Sequence, residues 1–323
     1  MTGITMREAI SQALWEEMER DSKVFILGEE VGVWGGTYAV TKGFYDHFGA
    51  ERVRDTPISE ATIVGTAIGA ALRGLRPVAE LMTINFAFSA MDHIVNQAAK
   101  MHYMFNGQMT LPLVIRTVSG GGRQLGATHS QTPDVIFAHF PGLKVVSPGT
   151  PADAKGLLKS AIRSNDPVFF IEQATLYQTR GEVPDGDHLI PIGKSTIQRK
   201  GSDVTVVTYS KGLELSLKAA DLLSAEDIEI EIVDLRTLRP LDISPVLDSI
   251  KKTNRAVIVE EGWLSYGVGA EVSARIYEEA FDDLDSPIQR VAQKEVPLPY
   301  NRTLEQMALP QVEDITRAVK EVR

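Results

Sequence analysis

The chain has 323 residues, 43% of them apolar, a formal net charge of −10 and no cysteine. That length suits two domains of ordinary size, each with its own core, and disorder is not expected. The acidic balance lacks the basic footprint of a nucleic-acid binder, and the missing cysteines exclude disulfides, thiolate catalysis and cysteine-ligated zinc. In chain order, an amphipathic stretch at 6–19 precedes a strand-like run at 24–27. Further strand-like runs follow at 77–82, 111–116, 143–147 and 168–171, with helical periodicity at 86–103 and 152–163 between them. The turn-rich segment 181–188 is poor in apolar residues, so the spacing places a domain boundary there, at 187/188. A second unit follows, with strands expected near 204–207, 229–233 and 256–259 and helices near 213–223 and 243–252. Alternation of this kind predicts two α/β domains with mostly parallel sheets, 1–187 and 188–323. The longest apolar-or-small run, 63–72, is too short to span a bilayer, so no membrane partner is expected. No signal or transit segment precedes Met6, which suggests a cytoplasmic protein; a processed organellar chain would look the same.

The most informative segment is Asp55-Thr-Pro-Ile-Ser-Glu60, which runs directly into Ala-Thr-Ile-Val-Gly-Thr-Ala-Ile-Gly-Ala-Ala-Leu72. It sets one carboxylate at the mouth of an otherwise apolar helix. Pro57 favours an extended entry, Ser59 is a candidate N-cap, and Gly65, Ala67, Gly69, Ala70 and Ala71 give the helix a thin surface that another backbone could approach. On position alone, Glu60 offsets the positive end of the helix dipole, as first-turn acids often do.

The run TPISE, with GxAxGAAxxGLRPVAELM behind it and HSQ further on, resembles the β subunits of thiamine-diphosphate-dependent E1 components of 2-oxo acid dehydrogenase complexes. The likeness extends from Met6-Arg-Glu-Ala to Leu309-Pro-Gln-Val. It implies a transketolase-like pyrimidine-binding domain followed by a transketolase C-terminal domain. In that family the glutamate of this motif hydrogen-bonds the aminopyrimidine ring of the cofactor, and Glu60 occupies its place. Ile58, in the same motif, falls in the cofactor-binding stretch. Phe86 lies in Thr83-Ile-Asn-Phe86 after a buried strand, where open α/β sheets bind ligands. An aromatic of this segment stacks on the pyrimidine in the family, although a core aromatic starting a helix would give the same pattern.

His129 stands out among six histidines because it lies in a polar loop, Gly126-Ala-Thr-His-Ser-Gln131, beyond Gly120-Gly-Gly-Arg123. The resemblance gives it a part in orienting substrate and lipoyl groups and in proton transfer during reductive acylation. Ser130 beside it lacks the G-x-S-x-G surroundings of a hydrolase nucleophile. Family members also bind potassium through backbone oxygens that correspond to Leu113, Ala161, Ile162, Ser164 and Asp166; an ordinary helix end would leave the same sequence trace. Two glycine-containing segments, Gly193-Lys-Ser and Gly267-Val-Gly, fall short of phosphate-binding fingerprints.

No Gly-Asp-Gly segment is present. The family holds the cofactor's diphosphate and Mg2+ through such a segment, so the resemblance implies that an E1 α subunit supplies it in an α2β2 heterotetramer. The implied reaction is oxidative decarboxylation of pyruvate, with acetyl transfer to the lipoyl group of the E2 acyltransferase. Acetoin dehydrogenase and branched-chain 2-oxo acid dehydrogenase β subunits are close alternatives within the class. A different class, a non-catalytic assembly subunit built on this fold, is disfavoured by the retention of Glu60 and His129.

Overall fold

The computed structural model describes residues 3–323 and divides them into two compact units. The first contains the residues up to Ser119 together with Ile136–Ile192; the second contains Gly120–Val135 and Gly193–Arg323. The turn-rich segment at which a boundary was expected still packs on the first unit. Arg163 pairs with Asp187 at 2.6 Å, His188 Nε2 lies 3.1 Å from Ala152 O, and Ile190 joins the first core. The segment that carries His129 belongs to the second unit.

In the first unit, the strands Lys144–Val146, Val168–Gln173, Val114–Ser119, Arg76–Leu81, Val24–Gly28 and Val53–Asp55 lie side by side in that order, all parallel. Most are buried along nearly their whole length, the charged residues within them included, because helices cover both faces of such a sheet. The strand expected at 111–116 forms three residues later. Pro112 has no N–H to give to a ladder, and the Leu111 N–H is bonded to Asn165 O instead. Thr5 begins the helix Met6–Arg20 with a reciprocal capping box to Glu8, and Thr150 with Pro151 begins Pro151–Arg163. These two helices pack together, and the fully buried Glu17 receives Arg163 Nη2 at 2.6 Å and Arg20 Nε at 2.7 Å.

The long helix expected over 86–103 is broken into a 3-10 segment Ile84–Ala90, a π segment Asp92–Ala98 and a short α turn Met101–Met104. Ser89 back-bonds to Phe86 O at 2.8 Å, a local competitor that disturbs regular helical bonding.

The second unit is a five-stranded sheet in the order Gln289–Gln293, Ala256–Trp263, Val204–Thr208, Ile230–Asp234 and Thr196–Arg199. Only Thr196–Arg199 runs antiparallel. The helices Lys211–Ser224 and Ser244–Thr253 appear close to where periodicity puts them. Val268–Ala280, Arg302–Ala308 and Val312–Val322 complete the unit. Both units are therefore α/β with mostly parallel sheets. No helix among the described residues is long and apolar enough to cross a membrane.

Candidate functional site

In the first sheet the chain passes from Val24–Gly28 to Val53–Asp55 on one side and then to Arg76–Leu81 on the other. Strand order thus reverses about Val24–Gly28, and the crevice beyond the carboxyl ends of such strands is where α/β sheets take ligands. Three segments meet this end. Glu29 follows the first strand, Glu60 opens the helix Glu60–Leu72 after the second, and Thr83–Phe86 follows the third.

Glu60 is 9% exposed, and the Ser89 hydroxyl donates to its Oε2 at 3.1 Å. Ser59 does not act as a side-chain cap; its hydroxyl pairs with Thr62 Oγ1 at 2.8 Å, which leaves the helix mouth to the carboxylate. Glu29 is 7% exposed and its Oε1 has no hydrogen-bond partner. Burial, then repulsion from Glu60, Glu30 and Glu80, pushes its carboxyl above the usual range. Beneath this cluster Arg116, 2% exposed, lies between Glu80 and Glu172. Tyr177 Oη donates to Glu172 Oε2 at 2.6 Å. Burial opposes the charge on Arg116, but Glu172 and Glu80 outweigh it and hold the guanidinium above its ordinary value.

Thr83 Oγ1 donates to Val118 O at 3.2 Å and Asn85 Nδ2 to Thr83 Oγ1 at 2.6 Å, which fixes the turn that carries Phe86. Phe86 is half-buried, whereas Ile58 is 83% exposed. The thin helix face is only partly open: a Cβ built on Gly65 would lie 3.4 Å from the His93 ring, while Gly69 has nothing within 4 Å.

In the second unit His129 is exposed, with Nδ1 2.8 Å from Thr128 Oγ1 and its N–H 3.3 Å from Gly126 O. Gly267-Val-Gly269 begins a helix whose N-terminus is filled by the chain's own Glu260. The Gly269 N–H donates to Glu260 Oε1 at 3.0 Å, and burial pushes this carboxyl up to about 7.

At the base of the first sheet, four of the five backbone oxygens expected to hold potassium already accept a hydrogen bond, and the fifth residue, Asp166, is engaged through its side chain. Leu113 O accepts from Val168 N–H and Ala161 O from Ser164 N–H, at 2.8 and 3.1 Å. Ile162 O and Ser164 O both accept from Arg76 Nη1, at 2.9 and 3.0 Å, and the Asp166 carboxylate pairs with Lys144 at 2.8 Å. The helix end attracts cations, and one already there is a guanidinium.

Two family models match the chain: transketolase, pyrimidine binding domain over residues 2–179, and transketolase, C-terminal domain over residues 193–315. The pyruvate dehydrogenase E1 component subunit beta of Rickettsia felis is 50% identical over 319 residues, covering 99% of this chain and 98% of that one. The mitochondrial subunit beta-2 of Oryza sativa subsp. japonica is also 50% identical, over 98% of this chain and 85% of its own. The chain belongs to the pyruvate dehydrogenase E1 β-subunit family. A solved split-gene transketolase, described as an inactive beta4 tetramer, superposes with a TM-score of 0.81 at 26% identity, covering 99% of this chain and 98% of its own.

Sequence reasoning missed several charged residues at and beneath this crevice of the E1 β chain. Glu80, Arg116 and Glu172 were readable as charges inside otherwise apolar strands, which demand partners. Glu80 and Arg116 are direct register neighbours. Glu29 follows a strand with no comparable mark, and only the strand order brings it to Glu60.

Proposed function

We propose that this chain is the β half of a pyruvate dehydrogenase E1 and acts only with an α partner. The observation that carries the reading is Glu60: a buried carboxylate, steadied by Ser89, at the carboxyl-end crevice of a parallel sheet. The residues present fit thiamine diphosphate. A partly desolvated acid and an unpartnered buried carboxyl oxygen on Glu29 suit a flat, proton-bearing nitrogen heterocycle, with Phe86 close by in the chain as an apolar wall. When bound, that cofactor supplies a carbanion that adds to a carbonyl and then accepts the electrons released on decarboxylation.

The chain's own residues do the rest. Glu60 accepts a hydrogen bond from the protonated ring nitrogen and so holds the proton there. Glu29, whose carboxyl is raised, stays protonated more readily than an ordinary acid and limits the negative charge that faces Glu60. His129 exchanges protons during acyl transfer to the lipoyl group of an E2 acyltransferase. The Mg2+ and diphosphate ligands come from the α subunit, since this chain has no Gly-Asp-Gly. The open surface at Gly69 suits close approach by that partner. Potassium at the Ala161–Ser164 carbonyls would have a structural role, on a helix end where the Arg76 guanidinium already bonds two of those oxygens.

The test is to assemble the α2β2 enzyme and compare pyruvate, a branched-chain 2-oxo acid and acetoin as substrates. The reading expects pyruvate to be preferred in kcat/KM by about 10-fold or more, the scale that pocket shape alone can provide. Preference for either rival would reassign the substrate, and no turnover with any of them would favour the non-catalytic subunit.

A further inference from the structure

The carboxyl ends of Val204–Thr208 and Ala256–Trp263 form the second place in this chain where an α/β sheet would take a ligand, because strand order also reverses there. The structure fills this crevice with the chain itself. Segment Gly120–Val135 lies over it: a Cβ on Gly262 would come within 3.2 Å of Thr132 O, and Asp134 bears electrostatically on the buried Tyr209. Two buried carboxylates hold the start of that segment by its backbone. Glu305, fully buried, accepts the Gly122 N–H at 3.0 Å and the Gln124 N–H at 3.1 and 3.0 Å. Glu261, 6% exposed, accepts the Gly121 N–H at 3.0 Å.

The backbone here is unusual. Gly120, Gly122 and Gly126 have φ of +91°, +92° and +77°, and Gln124, which carries a Cβ, has +58°. Alternation of this kind turns successive N–H groups to one side and makes a concavity that suits an anion. Such a backbone persists only where its surroundings hold it. Gly121 has no room for a side chain, since a Cβ there would meet Leu298 and Leu309. The Gly120 N–H closes the loop on Gln131 O at 3.1 Å, so the loop that carries His129 hangs from this anchored base. Asn301 caps the short helix that presents Glu305, its side chain accepting the Leu304 N–H at 3.2 Å.

Apolar side chains in place of Glu305 and Glu261 would fill the same space without the cost of burying charge, but they could not bind the three N–H groups that the two carboxylates share. We propose that Glu305, assisted by Glu261, is a positioning residue for acyl transfer: it fixes the loop 120–131 and through it the place of the His129 imidazole. The role in transfer rests on the reading of His129 given above; the anchoring itself does not.

The test uses the assembled enzyme with Glu305→Gln, and with Glu261→Gln as a second variant should the first fail to fold. Hydrogen exchange is followed over 120–131, with the helix Lys211–Ser224 as internal reference. Acetyl transfer to a lipoyl domain is compared with decarboxylation into an artificial electron acceptor, for these variants and for His129→Ala. Positioning predicts faster exchange confined to 120–131 and transfer slowed about 10–100-fold with decarboxylation nearly unchanged, the scale of a misplaced catalytic group. Unchanged exchange would overturn the anchor. Faster exchange with an unaltered ratio of the two half-reactions, while His129→Ala alters it, would overturn the positioning role. If His129→Ala itself leaves the ratio unaltered, the reading of His129 fails, and the exchange data still decide the anchor.

Discussion

Ser89 donates its hydroxyl to Glu60 Oε2 at 3.1 Å, which joins the first residue of the apolar helix to the 3-10 turn beyond the Arg76–Leu81 strand. Two elements adjacent at the crevice thus share one carboxylate.

From this contact, Glu60→Gln is expected to leave a folded chain but to lower turnover of the assembled enzyme about 10²–10⁴-fold, the usual scale for a lost acid/base group. Ser89→Ala, which removes one hydrogen bond to a charged group, should cost no more than about 10–100-fold. Decarboxylation assays on both variants check this order. Near-normal rates for Glu60→Gln would sink the assignment.

Glu260 offers a pH test within the second unit. Its carboxyl is raised from 4.5 to about 7, first by burial, with the Gly269 N–H and Arg290 opposing. In the folded chain it therefore holds its proton more tightly than in the unfolded chain, and stability is lost as pH rises from about 4.5 to about 7. Removing the charge should recover up to about 3 kcal/mol above pH 7, and very little at pH 4.5. Thermal melts of Glu260→Gln and the parent chain should diverge as pH rises from 5 to 8, the variant being the more stable. Parallel curves would show that burial leaves the Glu260 carboxyl unshifted, and a variant that loses stability relative to the parent as pH rises would show that the carboxylate is stabilised when ionised.

The helix end at Ala161–Ser164 predicts a preference among monovalent cations. An ion bound only by the folded state, at ten times its Kd, adds about 1.4 kcal/mol. Potassium should therefore raise the melting temperature by a few degrees over lithium at equal ionic strength. Arg76→Ala frees the two carbonyls that the guanidinium occupies. It should enlarge the potassium effect if ion and guanidinium compete, and abolish it if they cooperate. Identical melts in both salts, for both chains, would leave an ordinary helix cap.

Most of the architecture was legible because periodicity follows directly from burial. Apolar runs such as Val24–Gly28 and Val204–Thr208 sit in parallel sheets covered on both faces, and Met6–Arg20 shows its helical stripe and its cap. The break of 86–103 was not legible, because Ser89 looks like an ordinary helix residue until its hydroxyl finds Phe86 O and Glu60. Glu60 could be found from its isolation in an apolar context. Glu29 could not, since its importance comes from strand order rather than local sequence. Glycine-rich turns carried a half-readable signal. Gly267-Val-Gly269 and Gly120-Gly-Gly-Arg123 do surround anions, but the anions are side chains of the chain itself: Glu260 at the end of the preceding strand, and Glu261 and Glu305, too distant in sequence from Gly120-Gly-Gly-Arg123 to be paired with it by any motif.

The central claim is that this chain holds one half of a cofactor site divided between two subunits. A polyanionic diphosphate taken from water needs a metal ion and oxygen ligands around it. The family resemblance places those ligands on a Gly-Asp-Gly segment, which this sequence does not contain. The most direct measurement is calorimetric titration of the chain with thiamine diphosphate and Mg2+, alone and after assembly with the α partner, with 2-oxo acid decarboxylation followed in parallel. The account predicts weak binding and no turnover alone, and tight binding with turnover once the partner is present. Tight binding and turnover by the isolated chain would contradict it.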